Sequence, residues 1–255
     1  LNPLEYHSLR QSEAQLWWFR GMQRILFGIL DPMPLPRKNP LVLEGGSGTG
    51  YMAQELSARY GWRIVAADLA AEGLASTAHS PAVLPVQADI CACPFASGVF
   101  DAVISLDVLV HLEAGKESVP LSEFARVLKP GGILILRVAA LDILRSRHSE
   151  FVDEKQRFTR GRLMAAVTAA GFRVERCTFL NSLLLPVALF RFRIWEPLLN
   201  VKPTSGTAPI SPLLNRLLSI PLRLEAAMVS RGWNLPLGQS LFLIAAREQS
   251  SRNSK

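Results

Sequence analysis

The chain has 255 residues, 49% of them apolar and 19% charged, which supports a sizeable core and excludes wholesale disorder. Its net charge of +7 is unevenly spread: residues 1–136 carry −3, residues 137–180 carry +4 and residues 181–255 carry +6. An acidic first half joined to a basic second half predicts a cation-tolerant site and an anion-facing surface on one molecule.

Residues 12–30 predict a helix, with Ser12 as its N-cap and Leu16, Phe19, Ile25, Leu26 and Ile29 as its apolar positions. Four prolines in 31–40 predict a linker. Strands are expected at 41–45, 63–68, 82–89, 100–107 and 133–140, with helices at 51–60, 69–78 and 116–128 between them. The fifth strand, ILILRVAA, is nearly continuous in apolar residues, as buried parallel strands are. Residues 141–158 read as charged and irregular, 159–171 as a helix and 172–180 as a strand. Residues 181–237 hold seven prolines among apolar, arginine-dotted pieces and predict short helices; 239–247 predicts a last strand and 248–255 a flexible tail. Strand alternating with helix in this way predicts an α/β domain around a parallel sheet.

Three cysteines, Cys91, Cys93 and Cys177, cannot build a disulfide framework and include no CxxC pair for zinc. They predict a reducing, cytoplasmic compartment. The opening residues, with Glu5, His7 and Arg10, predict no signal peptide. The most apolar stretch, 179–190, is interrupted by Asn181, Ser182 and Pro186 and is too short to span a bilayer.

The strongest motif is Glu44-Gly45-Gly46-Ser47-Gly48-Thr49-Gly50 at the first strand–helix junction. Glycines there allow a sharp turn and a close backbone approach to a ligand, and the helix that follows offers unpaired N–H groups. Position 51 is Tyr, so the dinucleotide pattern GxGxxG fails, and no Lys follows Gly50, so it is not a P-loop. Asp68 ends the second strand, 24 residues beyond Glu44, at about the spacing of a ribose-binding acid. The competing role for Asp68 is a helix N-cap before Leu69-Ala70-Ala71.

In order, LVLEGGSGTG, Asp68, QADICACPF with Asp89, FDAVISLDVLVHL and RVLKPGGILIL resemble class I S-adenosylmethionine-dependent methyltransferases over roughly residues 41–180 plus the last strand. The opening helix is similar to that of a bacterial subgroup with an E-x-x-H-W-W-F-x-x-R pattern, carried by Glu13, Trp17, Trp18, Phe19, Arg20 and Arg24, with Leu16 in place of the usual His. The subgroup's H…R-[YF]-T stretch is matched by His148 and Arg157-Phe158-Thr159. The resemblance implies a Rossmann-like, seven-stranded, mostly parallel sheet with helices on both faces. It further implies an N-terminal helical lid and linker (1–40), a cofactor-binding core (41–180), an acceptor-side helical insertion (181–237) and a last core strand (238–247).

It also implies site roles. Glu44, Gly45, Gly46, Ser47, Gly48 and Gly50 would line the methionine part of S-adenosylmethionine, Asp68 and Leu69 its ribose, and Asp89 and Ile90 its adenine. Leu106, Trp18 and Arg20 would complete the cofactor site, with S-adenosylhomocysteine as the product. Methyl transfer from a sulfonium is an in-line displacement, so the protein's tasks are alignment, exclusion of water and, where needed, removal of an acceptor proton. His111 and His148 are the candidate bases, set against packing and solvated-surface roles. Trp17, His111, His148 and Arg157 are the candidate acceptor contacts, Arg157 either binding an anion or capping the following helix. Three consecutive aromatics cannot share one helix face, so at least one of Trp17, Trp18 and Phe19 is expected to look away from the sheet.

The expected acceptor is a small molecule or a lipid- or glycan-linked one, anionic or amphiphilic, with peripheral contact to an anionic membrane allowed by the basic half. No metal is expected. Nucleic-acid methylation is the alternative within the same chemistry, without a recognisable reader module. A catalytically silent protein that keeps the fold is the other, opposed by the joint presence of Gly46, Gly48, Asp68 and Asp89.

Overall fold

The computed structural model describes residues 5–33, 35, 37–75, 77, 81–203 and 210–249. Seven strands form one sheet: β1 (Leu41–Gly45), β2 (Arg63–Asp68), β3 (Val83–Gln87), β4 (Phe100–Leu106), β5 (Leu128–Ala139), β6 (Phe172–Leu180) and β7 (Ser240–Arg247), in the order β3-β2-β1-β4-β5-β7-β6. The first five strands pair in parallel, and β7 runs antiparallel between β5 and β6. Strand order reverses between β1 and β4, and the parallel crossovers, right-handed by strand twist, set helices on both faces. The fold is the Rossmann-like, mostly parallel one that the motifs imply. Val42, Leu43, Val103, Ile104, Leu134, Leu136, Leu241 and Leu243 are fully buried in the core, the pattern of a sheet covered on both sides.

The crossover helices are α3 (Tyr51–Tyr60), α4 (Ala71–Leu74), α5 (Ser118–Val127) and α7 (Arg160–Ala169). The helix expected at 69–78 is described only as the single turn of α4; residues 76 and 78 of it lie outside the described residues, as do residues 250–255 of the expected tail. β5 begins at Leu128, five residues before its expected start. The KPGG segment enters the strand through a register shift against Phe100–Ala102 instead of merely ending the helix. The stretch 141–158 holds a 3-10 turn (Asp142–Leu144) and the short α6 (Arg147–Phe151), closed by a reciprocal Ser146–Ser149 capping box.

The single helix expected over 12–30 is two helices, α1 (Glu5–Gln15) and α2 (Trp17–Leu30), broken at Leu16. Ser12 therefore lies inside α1 and is not an N-cap. Leu16 is extended (φ −77°, ψ 136°), and the break is spliced from the far end of the chain. Asn215 accepts from the Trp17 N–H at 2.7 Å and donates to the Gln15 carbonyl at 3.0 Å. Those are two of the backbone groups that a helix break orphans.

The insertion holds α8 (Leu185–Phe190), a π-helical stretch (Arg191–Trp195), α9 (Glu196–Leu198) and α10 (Pro212–Ser230). α10 packs along α2, and Gly21 makes the close approach possible: a Cβ there would stand 2.2 Å from Leu222 Cδ1. Among the described residues no helix is long and apolar enough to cross a membrane.

Candidate functional site

The carboxyl ends of β1 and β4 flank the point where strand order reverses, the crevice in which open α/β sheets bind ligands. β1 delivers the glycine turn there. Gly46 and Ser47 donate to the Ala67 carbonyl at 2.8 and 2.9 Å, which folds the turn back over the end of β2. Gly46 lies against Val108, whose side chain would clash with any Cβ. Gly48 is left-handed (φ +56°), and the space a Cβ would take is open. The backbone is bare on that side.

Asp68 ends β2 beside this turn. One carboxylate oxygen accepts from the Gly48 N–H at 2.7 Å and the other from the Ala70 N–H at 3.0 Å. The cap of α4 is Ala70, so Asp68 does not cap that helix; it braces the glycine turn and keeps lone pairs for further donors. Leu69 beside it is 68% exposed. Asp89, after β3, is exposed and accepts from the Cys91 N–H at 2.8 Å, while Ile90 is buried against Gly45.

Two buried polar atoms at the turn, Glu44 Oε2 and Ser47 Oγ, have no hydrogen-bond partner among the described residues. Burial, with the nearby charges of Glu13 and Asp68, pushes the Glu44 carboxyl up to about 8. Glu13 of α1 is raised by burial to about 7, although Thr49 donates to it at 2.5 Å and Arg10 lies near. Arg10 donates to the Thr49 carbonyl at 2.9 Å and to Gln54 at 3.0 Å. α1 thus clamps the glycine turn from outside. Glu13 stood in the N-terminal sequence pattern without a role, and Arg10 offered no signal.

Past β4, Asp107 is left-handed (φ +60°), a conformation costly for a residue with a Cβ. Arg137 on β5 holds it, with Nη2 2.6 Å from its carboxylate, and the guanidinium sits 5.4 Å from the centre of the Trp18 ring. Trp18 therefore faces the carboxyl end of the sheet. Trp17 and Leu106 are half-buried, and Arg20 is exposed. Arg137 is a cation that the sequence reading missed.

His111 lies in a 3-10 turn (Leu109–His111) that follows Val108, with Nδ1 3.4 Å from the Asp153 carbonyl. His148 lies exposed on α6. The strip 153–157 joins the two: Lys155 and Gln156 donate their N–H groups to Val110, and the Arg157 guanidinium reaches Ser149 on α6 at 3.0 Å. Arg157 corrects the sequence reading. Its guanidinium forks onto Glu154 (2.6 and 3.2 Å), donates to the Ala140 carbonyl at 3.1 Å, and both partners are about nine-tenths buried. It is a staple of the loop, its guanidinium committed to Glu154, Ala140 and Ser149. Among the described residues no group of three or more His, Cys, Asp or Glu is placed to hold a metal.

Residues 43–136 match the family model described as a methyltransferase domain. A malonyl-(acyl-carrier protein) O-methyltransferase 1 of Coxiella burnetii (strain RSA 493 / Nine Mile phase I) is 32% identical over 126 residues, 49% of this chain and 43% of that protein. The aligned part thus spans less than half of the relative's length. Among solved structures, the (4+2)-cyclase SpnF superposes with a TM-score of 0.64 at 16% identity, covering 96% of this chain and 93% of that one. The geranyl diphosphate C-methyltransferase of Streptomyces coelicolor A3(2), in complex with Mg²⁺, geranyl diphosphate and S-adenosyl-L-homocysteine, does so with 0.62 at 13%, covering 93% and 83%. Likeness at such identities concerns the fold alone. The matched stretch runs from β1 through the glycine turn and Asp68 to β5, and in that stretch the chain is similar to S-adenosylmethionine-dependent methyltransferases.

Proposed function

We propose that the protein methylates a small or lipid-linked acceptor of anionic or amphiphilic character, at the crevice between β1 and β4. The observation that carries this reading is the bare backbone face at Gly48, with Asp68 braced beside it and two orphaned polar atoms, Glu44 Oε2 and Ser47 Oγ, buried in the same turn. These residues fit S-adenosylmethionine, which supplies an electrophilic methyl group on a sulfonium. Gly46, Gly48 and Gly50 would accommodate its methionine part and Asp68 its ribose hydroxyls. Asp89 and Ile90 would hold the adenine.

The chain's own contribution is alignment and closure. α1 and α2 would act as a lid, with Trp18 and Arg137 over the acceptor side and Trp17 and Arg20 beside it. His111 or His148, which flank the strip 153–157, would take the acceptor's proton. In support of an anionic or amphiphilic acceptor stand the apolar, arginine-bearing insertion and the relatives' printed substrates, a malonyl-carrier protein and geranyl diphosphate. A cytoplasmic, membrane-peripheral setting accords with that acceptor class.

Calorimetry should show binding of S-adenosylmethionine and S-adenosylhomocysteine. Labelled donor, offered with a panel of lipids, carrier-bound acids, sugars and oligonucleotides, should label an anionic or amphiphilic acceptor. Absence of donor binding would sink the reading, and labelling confined to oligonucleotides would replace the acceptor class.

A further inference from the structure

α8, the π-helical stretch and α9 bury one face against the protein, through Leu185, Ala188 and Glu196. Their outward positions should be polar on an ordinary surface helix. Instead Val187, Phe190, Ile194, Trp195 and Leu198 follow at spacings of three, four, one and three along the outward side, between 50 and 77% exposed. α10 repeats the pattern. It buries Leu222, Glu225, Ala226 and Val229 and turns Leu213, Leu217, Ile220 and Leu224 outward, each about half exposed or more. Isolated exposed leucines need no explanation, but two helices that each expose a continuous apolar stripe do.

The charges beside these stripes have one sign. Residues 181–237 contain six cations, Arg191, Arg193, Lys202, Arg216, Arg223 and Arg231, and all six are exposed. Their two acids are both buried and spent inside the protein. Glu196 accepts from the Arg147 N–H and pairs with one of the six cations, Arg191, at 3.3 Å, which leaves five without an acid of the insertion; Glu225 accepts from the N–H groups of Asn181, Ser182 and Leu183, tying α10 to the chain just before α8. On α2, burial together with Arg223 and Arg20 holds the Arg24 guanidinium below its ordinary range, so like charges are brought together along the α2–α10 pair.

We infer that the outward face of this insertion docks on an anionic lipid bilayer, its apolar stripes lying in the headgroup–acyl boundary and its arginines meeting lipid phosphates. The chemistry selects this occupant. A nucleic acid would use the cations and leave Phe190, Ile194, Trp195 and Leu198 in water. A protein partner of ordinary composition would not call for an insertion that exposes six cations and no acid of its own. Apolar helix faces rimmed by Arg, with Trp at the boundary, match an interfacial helix pair, and arginine stems can lie along the apolar surface while their heads reach the phosphates. The face also adjoins the proposed acceptor side. Arg193 donates to the Ile143 carbonyl at 2.7 Å, and Glu196 holds the first residue of α6, the helix that carries His148. Docking would bring a membrane-resident acceptor to that edge of the protein; this last step rests on the proposed acceptor class, whereas the docking itself does not.

The test is co-flotation of the full chain with vesicles of phosphatidylcholine alone or mixed with phosphatidylglycerol, without acceptor. Binding should favour the anionic vesicles by about ten-fold or more and weaken as salt rises. Ile194→Glu with Leu217→Glu, both at exposed positions, should cut it by at least about ten-fold. Arg216→Ala with Arg223→Ala should reduce binding to anionic vesicles and leave the weak binding to neutral ones unchanged. Calorimetric affinity for S-adenosylhomocysteine serves as the folding control and should match wild type in all variants. No binding to either vesicle would overturn the inference, as would a dimer that the paired Glu substitutions dissolve while vesicles are ignored, or duplex DNA binding that those substitutions leave intact. Loss of donor binding by the wild-type chain would strike the methyltransferase reading and leave the vesicle result standing.

Discussion

Thr49 in the glycine turn donates its hydroxyl to Glu13 of α1 at 2.5 Å, so the first helix is fastened to the turn proposed to hold the donor. The contact holds Glu13 close enough to Glu44 for their charges to interact, and burial raises the two carboxyls to about 7 and about 8. Both folded values lie above the unfolded one, so between about pH 4.5 and pH 8 the folded chain holds protons that the unfolded chain has released. Stability contributed below pH 4.5 is therefore lost as pH rises through that window, and the loss levels off above it. Glu13→Gln should flatten the decline, shrinking the stability difference between pH 5 and pH 8 by on the order of 2 kcal/mol. Urea unfolding at the two pH values measures this, and parallel curves for wild type and variant would refute it.

S-adenosylmethionine brings a sulfonium and an ammonium. A cation near Glu44 and Glu13 favours their ionised forms. Donor binding at neutral pH should therefore release a fraction of a proton, visible as a binding enthalpy that changes with the buffer's ionisation enthalpy. Glu44→Gln should reduce that dependence. Identical enthalpies across buffers would separate the pair from the donor.

Asp68 accepts from two backbone N–H groups and retains capacity for more. Asp68→Ala should weaken both S-adenosylmethionine and S-adenosylhomocysteine by about 1–3 kcal/mol, roughly 5- to 150-fold. Unchanged affinity in calorimetry would remove Asp68 from the site.

Arg157 and Glu154 form a buried fork. Arg157→Ala leaves Glu154 uncompensated and should cost about 3–5 kcal/mol of stability. Arg157→Lys, which keeps the charge and loses the fork, should cost less. A folded, fully stable Arg157→Ala protein with a raised acceptor KM would favour the anion-binding role over the structural one.

Gly21 and Leu222 bring α2 against α10. Gly21→Ala should destabilise by about 1–3 kcal/mol through overpacking. Combined with Leu222→Ala it should cost less than the sum of the single changes, because the second substitution removes the Cγ and Cδ1 clashes, although Leu222 Cβ, 2.8 Å away, keeps part of the crowding. Additive costs would mean that the helices do not meet there.

The sheet was legible because its strands are short apolar runs between turn residues, and the glycine turn because Gly46, Gly48 and Gly50 have few other uses in that pattern. The N-terminal break was not legible: the local pattern is helical, and Leu16 is extended because Asn215, some 200 residues away, supplies the missing partners. Arg137 was hidden for a related reason. Only the register that sets Leu106 opposite Arg137 brings the guanidinium to Asp107. Arg157 was visible as a cation, but its sequestration depends on Ala140 and Ser149 as much as on neighbouring Glu154. Contacts of that kind belong to the folded chain and leave no local pattern.

The Asn215 splice has a practical consequence for anyone who would transplant specificity between relatives. The cover on this side of the sheet is assembled from two remote stretches, α1 and α2 early in the chain and α10 much later, sewn together by one amide and by the close approaches at Gly21 and Gly28. Exchanging only the insertion would leave Trp17 and Gln15 with bare backbone groups, and exchanging only the opening helices would face Leu222 with a stranger. A chimera should carry both segments from the same parent.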